Sequence, residues 1–318
     1  MVDIFSLVFP IFALIALGYI LVVSGLIPKE VGAALSKFVF SVPLPLLMFR
    51  SLATSNIGDQ APWSLWGAYF LCVFSIWALG MLVIRFVFGR EGSVLAVAGI
   101  SSGFSNLVLL GIPIISGVFG EDALVPLVML LTIHLPVMML ASSLMVETYG
   151  REKDTKLDIG AALQKVFKGL VRNPIVVGIL AGGLWGLMGL PIPTLAAVVI
   201  DKIVPVTVPL ALISMGMSMR EYGLRGDVVP ALVLGLLKTV AFPALFLLVS
   251  TTIFSLPAEW VAVIILGAAC PTGVNAYLLA DHFGVGHRLS ANTISLSVLM
   301  GFITLPFWIS VARDLMVQ

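Results

Sequence analysis

The strongest constraint on this chain is that apolar runs of about 20 residues recur almost from end to end, separated by short polar breaks. A run of that length is what a helix needs to cross the hydrocarbon core of a bilayer, and in lipid a helix satisfies its own backbone polar groups. With 60% hydrophobic and 10% charged residues over 318 positions, the chain has too little polar material to cover a soluble domain of its size. The expected fold class is therefore an all-α membrane protein. The runs predict ten transmembrane helices near residues 4–23, 33–53, 64–88, 92–119, 123–147, 171–190, 195–219, 228–253, 259–284 and 289–312. The first run, from Ile4 to Val23, lacks a basic leader and a small-residue cleavage site, so it reads as a retained helix rather than a signal peptide. A net charge of +1 argues against a nucleic-acid partner. Cys72 and Cys270 both lie in apolar runs and suggest neither a disulfide nor a metal site.

The long polar stretch from Glu147 to Arg172 reads as a solvated linker between helices five and six. Positive charge is retained in the cytoplasm, so its distribution over alternate sides tests the span count. Lys29, Lys37, Arg85, Arg90, Arg151, Lys153, Lys156, Lys165, Lys168, Arg172, Arg220, Arg225 and Arg288 fall on the linker's side, 13 of the 17 basic residues. Arg50, Lys202 and Arg313 fall on the other, and Lys238 lies inside helix eight. The expected placement is the cell inner membrane, with both termini outside and the linker cytoplasmic.

The sequence also repeats itself. "PIFALIALGYILVVSGL" from Pro10 matches "PIVVGILAGGLWGLMGL" from Pro174, and "VPLPL" from Val42 matches "VPLAL" from Val208. "SNLVLLG" from Ser105 matches "VNAYLLA" from Val274, pairing Asn106 with Asn275, and "IHLP" from Ile133 matches "ITLP" from Ile303. The offsets grow slowly, through 164, 166, 169 and 170 residues, so the matches are collinear. They divide the chain into a first five-helix repeat over 1–147, a linker over 148–170 and a second five-helix repeat over 171–318, with scaffold and crossover parts interleaved. Five is odd, so the second copy enters the membrane from the opposite side. Inverted repeats of this kind belong to alternating-access transporters.

Helices four and nine carry matching defects. Ser105, Asn106, Gly111 and Pro113 interrupt the first, and Pro271, Thr272, Gly273 and Asn275 the second. Proline removes a donor and clashes with the preceding turn, while glycine admits unusual dihedrals. Non-helical backbone at membrane depth survives only against protein or a watery cavity, so paired breaks are expected to cross at a binding site near the midplane. Helix N-termini at such breaks suit an anionic group, and asparagine supplies hydrogen bonds without a buried charge. Lys238 is the best intramembrane cation and reads either as a counter-charge for a substrate carboxylate or as a side chain that snorkels or binds a carbonyl. His134 reads as a packing residue, Asp201 and Lys202 as interfacial, and Asp281, His282 and His287 as a solvated helix end. No metal-ligand spacing, phosphate loop or nucleophile motif occurs, so an enzyme is not expected. Nor is a cofactor, although a coupling ion, sodium or proton, fits the architecture. Gly178, Gly182, Gly183 and Gly186 suit close helix contact, including one across a homodimer interface.

Three stretches, "VPLPLLMFRSLA" from Val42, "SNLVLLGIPIISGVFGEDAL" from Ser105 and "CPTGVNAYLLADHFG" from Cys270, resemble the auxin efflux carrier family of membrane transport proteins in its compact bacterial form. The resemblance implies ten helices in two inverted repeats, crossing at proline-containing breaks, in the fold of the bile-acid sodium symporters. It implies a carrier of small organic anions such as malonate, malate or auxin-like acids. On this resemblance the family's helix-four asparagine falls on Asn106, its Gly-Ile-Pro on Gly111, Ile112 and Pro113, and the start of its helix-nine motif on Pro271 and Gly273. Plant members carry a further proline in the helix-nine crossover, about where Asn275 and Ala276 stand here, so the crossing here differs. The expected mechanism is an elevator or rocking motion against a scaffold formed largely by helices one, two, six and seven. A sodium-coupled symporter of bile-acid-like anions and a non-transporting membrane ligand sensor are the alternatives.

Overall fold

Short polar signals set several helix ends. The Asn173 side chain accepts a hydrogen bond from the Ile175 N–H at 3.0 Å, Pro174 takes the first helical position, and Gly189 closes the last turn at φ 64°. This asymmetry of cap, proline and left-handed glycine narrows the expected span 171–190 to Pro174–Met188. The computed structural model describes residues 4–54, 62–149, 171–222 and 226–317, with residues 160, 164 and 168 isolated between them. Most of the expected linker, including Arg151, Lys153, Lys156 and Lys165, lies outside the described residues, as does Arg225.

Among the described residues all regular structure is helical apart from one isolated β-bridge. In chain order the helices are α1 (Ile4–Val23), α2 (Glu30–Ser41), α3 (Pro43–Thr54), α4 (Trp63–Phe86), α5 (Ser93–Gly103), α6 (Ile112–Phe119), α7 (Val125–Tyr149), α8 (Pro174–Met188), α9 (Thr194–Ile203), α10 (Thr207–Tyr222), α11 (Val228–Leu236), α12 (Phe242–Thr252), α13 (Ala258–Ala269), α14 (Asn275–Phe283) and α15 (His287–Val317). Two π-helical turns, Leu107–Gly111 and Leu237–Ala241, lead into α6 and α12. Among the described residues, six helical stretches are long and apolar enough to cross a membrane, and five shorter helices are also apolar. The expected span 33–53 starts earlier, at Glu30, and is divided at Val42 before Pro43. The last helix runs beyond its expected end at 312 to Val317, with Pro306 held inside it.

The chain divides into two compact units interleaved in sequence. The first comprises Met1–Ala61, Val108–Ile133 and Lys168–Glu221. Within it small residues let backbones touch. A Cβ on Gly178, Gly182 or Gly186 of α8 would stand 2.4–2.6 Å from the carbonyl oxygens of Pro45, Phe49 or Leu52 on α3. The close contact these glycines were expected to serve is thus made inside the chain. Likewise a Cβ on Gly216 of α10 would lie 1.9 Å from the Ile15 carbonyl oxygen on α1. Arg50 pairs with Asp201 at 3.2 Å.

The second unit comprises Pro62–Leu107, His134–Phe167 and Tyr222–Gln318. Its two innermost helices are α5, buried throughout from Leu95 to Gly103, and α13, buried from Val261 to Ala269. Over these residues both are buried on every face, the pattern of a helix enclosed by others. Trp77 of α4 lies over Gly99 of α5, where a Cβ would meet its ring carbon Cδ1 at 1.8 Å. Around them Ile84, Leu95, Ala98, Ala231, Leu234 and Leu289 form a buried apolar cluster that joins α4, α5, α11 and α15.

Candidate functional site

At 11 and 12 residues, α5 and α13 rise about 16 and 18 Å, roughly half of a hydrocarbon core about 30 Å thick. Each ends where the sequence places a defect. Phe104 turns to extended dihedrals (φ −83°, ψ 105°), and so does Cys270 (φ −56°, ψ 142°) ahead of Pro271, which cannot donate a backbone hydrogen bond.

The two breaks satisfy one another. Ser105 and Thr272 form an antiparallel bridge, with the Asn106 N–H donating to the Pro271 carbonyl at 2.9 Å and the Gly273 N–H to the Phe104 carbonyl at 2.8 Å. Thr272 is held twice more: its hydroxyl donates to the Ser101 carbonyl at 2.7 Å, and its N–H donates to the Ser297 hydroxyl at 3.0 Å. These bonds answer what a helix break does with its freed backbone groups. Glycine is needed at 273 because a Cβ there would stand 2.8 Å from the Phe104 ring.

Of the residues singled out from sequence, Ser105, Asn106, Pro271, Thr272 and Gly273 meet at this bridge, all of them buried. Asn275 stands just beyond it, half-buried, as the first residue of α14. The repeat alignment pairs Asn106 with Asn275, whereas the backbone pairs Ser105 with Thr272. Gly111 and Pro113 belong to the other unit, where Gly111 ends a π-helical turn and Pro113 sits in the first turn of α6.

Lys238 is completely buried in the π-helical turn between α11 and α12. Its ammonium donates to the Ala268 carbonyl near the C-terminal end of α13 and lies 4.8 Å from the centroid of the Phe242 ring. It therefore does not snorkel; a helix end with unpaired carbonyls and an aromatic face hold the charge instead.

Two residues not assigned to the site on sequence grounds lie beside it. Tyr69 of α4 and His134 of α7 are buried, with ring centroids 5.6 Å apart, and His134 is 5.1 Å from Phe104. Tyr69 is 5.6 Å from Phe242, the ring that also faces Lys238. A tyrosine in an apolar run reads as core, and nothing in its spacing distinguishes it. The Asp281 and His282 side chains lie outside the described residues, while His287 begins α15 with its ring edge-on to Tyr277.

A family model described as membrane transport protein matches residues 3–309. The chain is 25% identical over 310 residues to an uncharacterised transporter of Methanothermobacter thermautotrophicus, an alignment covering 95% of this chain and 96% of that one. It is 23% identical over 316 residues, 96% of this chain and 94% of the other, to a protein named as a candidate malonate transporter in Rhizobium meliloti. An uncharacterised transporter of Escherichia coli, YfdV, is 22% identical over 312 residues, 96% of each chain.

Proposed function

Because the chain belongs to the membrane transport protein family and is a multi-pass membrane transporter rather than an enzyme, we propose that it is a secondary transporter of small organic anions, carboxylates of the malonate or malate type. The observation that carries this reading is the mutual bridging of two helix breaks in one buried place. Irregular backbone enclosed within apolar helices is the usual seat of a transported ligand. The substrate class is supported by three features: buried Lys238, the N-terminus of α14 directly after one break, and a relative named for malonate. The binding residues on this reading are Ser105, Asn106, Pro271, Thr272, Gly273, Asn275 and Lys238. Gly111 and Pro113 shape the helix that leaves the first break.

The architecture proposed with it is ten spans in two inverted repeats, in the inner membrane, with both termini outside. Alternating access would then move the unit that carries the breaks, a reading supported by the division of the chain into two sequence-interleaved units. The test is uptake by the reconstituted protein of labelled mono- and dicarboxylates under a sodium gradient, a proton gradient or neither. Saturable uptake of a carboxylate, weakened in Asn106→Ala, is the expected result. No uptake of any organic anion would sink the proposal, and dependence on sodium would favour a symporter.

A further inference from the structure

Four polar side chains from four separate segments crowd together next to the bridge, and most of their hydrogen-bonding capacity is unused. Tyr69 comes from α4, His134 from α7, Ser105 from the first break and Lys238 from the π-helical turn, each 0% or 1% exposed. The Tyr69 hydroxyl, the Ser105 hydroxyl and both ring nitrogens of His134 are buried without a hydrogen bond of normal geometry. The Tyr69 and Ser105 hydroxyls are nonetheless close enough to act on one another, and Lys238 lies within electrostatic range of His134. Phe242 touches the group from both ends, facing the ammonium at 4.8 Å and the Tyr69 ring at 5.6 Å.

Native proteins rarely leave buried polar atoms unpaired, and a concentration of them calls for an absent guest. The sign of that guest follows from the charges. Among the side chains whose burial is described, no Asp or Glu is buried, so none of these carboxylates neutralises Lys238. A metal cation would meet an ammonium and, among the described residues, no buried carboxylate. An anion would meet an ammonium with N–H groups to spare, two hydroxyl donors and an imidazole that donates from one nitrogen. A carboxylate, with two oxygens and about four lone-pair sites, can accept from all of them.

We infer that Tyr69, Ser105, His134 and Lys238 form a subsite for one carboxylate of the transported anion, behind the bridge of Ser105 and Thr272. The inference rests on the organic-anion reading above and adds Tyr69 and His134 to the binding residues. It also implies that monocarboxylates can fill the subsite and that neutral analogues cannot.

The test uses the full chain in lipid nanodiscs, with malonate and its neutral diamide as calorimetric probes and uptake into proteoliposomes in parallel. Tyr69→Phe and His134→Phe keep the rings that pack against Phe242 and Phe104 while removing the polar atoms. Each is expected to weaken malonate binding at least tenfold while the ligand-free melting temperature stays level or rises, since an unpaired buried group has been removed. The diamide is expected to bind neither wild type nor variant. Wild-type malonate affinity in both variants would overturn the subsite, with buried water as the guest instead. In that case undiminished uptake would leave the transporter reading standing. If wild type neither binds nor carries any carboxylate, both fall together. Should either ring variant fail to fold, Ser105→Ala provides the same comparison.

Discussion

At the scale of single residues, the clearest electrostatic contact lies outside the spans. Asp227 precedes α11 with left-handed backbone (φ 47°), and its carboxylate is paired with the Arg90 guanidinium. That hydrogen bond, reinforced by the charge of the guanidinium and opposed by partial burial, holds the Asp227 carboxyl below the ordinary carboxylate range. A lowered acid contributes stability that is complete above its unfolded value and disappears as pH falls through the folded one. Asp227→Asn isolates this charge, because asparagine tolerates left-handed backbone almost as well. Both side chains are partly exposed, at 33% and 23%, so the loss at neutral pH should be about 1 kcal/mol or less. Melting curves should show the deficit at pH 7 and its closure in acid; a deficit that does not change with pH would contradict the assignment. Packing gives a larger effect at Gly99, where any Cβ invades the Trp77 ring. Gly99→Ala should cost about 1–3 kcal/mol in thermal unfolding. Gly117→Ala serves as the control, since nothing lies within 4 Å of a Cβ there. Equal stability of the two variants would show that the ring moves aside freely.

At the scale of elements, the two breaks behave as one structural joint. Thr272 ties α13's end to Ser101 of α5 through its hydroxyl and to Ser297 of α15 through its backbone N–H, so a single residue couples three helices. Thr272→Val preserves the shape and leaves the buried Ser101 carbonyl without this donor, a loss of about 1–3 kcal/mol. Amide exchange should accelerate around residues 101–106 and 270–275 in the variant and remain unchanged in α8. Exchange that rises evenly along the chain would mean the joint is not a local unit. Much of this joint is legible in the sequence, because glycine, proline and asparagine inside an apolar run have few other uses. The cap of α8 is legible for a similar reason: Asn173, Pro174 and Gly189 each act on their own backbone. What cannot be read is whatever depends on partners distant in sequence. Aligning the repeats brings Asn106 onto Asn275, but the ladder sets Ser105 against Thr272, because register across a break is chosen by which N–H groups need carbonyls. The π-helical turn around Lys238 is equally hidden. No local signal separates it from regular helix, and its role appears only when Ala268 and Phe242 close around the ammonium.

At the scale of the whole molecule, the proposed inverted repeat makes a claim about sidedness that packing alone does not. Gly18 and Gly182 stand 164 residues apart, at matching places in the two copies, and both press against a neighbouring backbone. A Cβ would lie 2.1 Å from the Ile213 carbonyl oxygen at the first and 2.5 Å from the Phe49 carbonyl oxygen at the second. Equivalent glycines doing equivalent work support a duplicated unit, but a duplication in parallel would use them in the same way. Orientation distinguishes the two. Ser24, just after α1, and Met188, the last residue of α8, are also 164 residues apart, and both are exposed. If the copies are inverted, these positions face opposite sides of the membrane, Ser24 inward with Lys29 and Met188 outward. Cys72 and Cys270 are buried and free, so replacing them with alanine gives a background in which Ser24→Cys and Met188→Cys can be labelled singly. An impermeant maleimide on intact cells should modify only the position at 188, and permeabilisation should be required for the one at 24. Labelling of both from the same side would remove the inversion, and with it the proposed architecture of two inverted five-helix repeats.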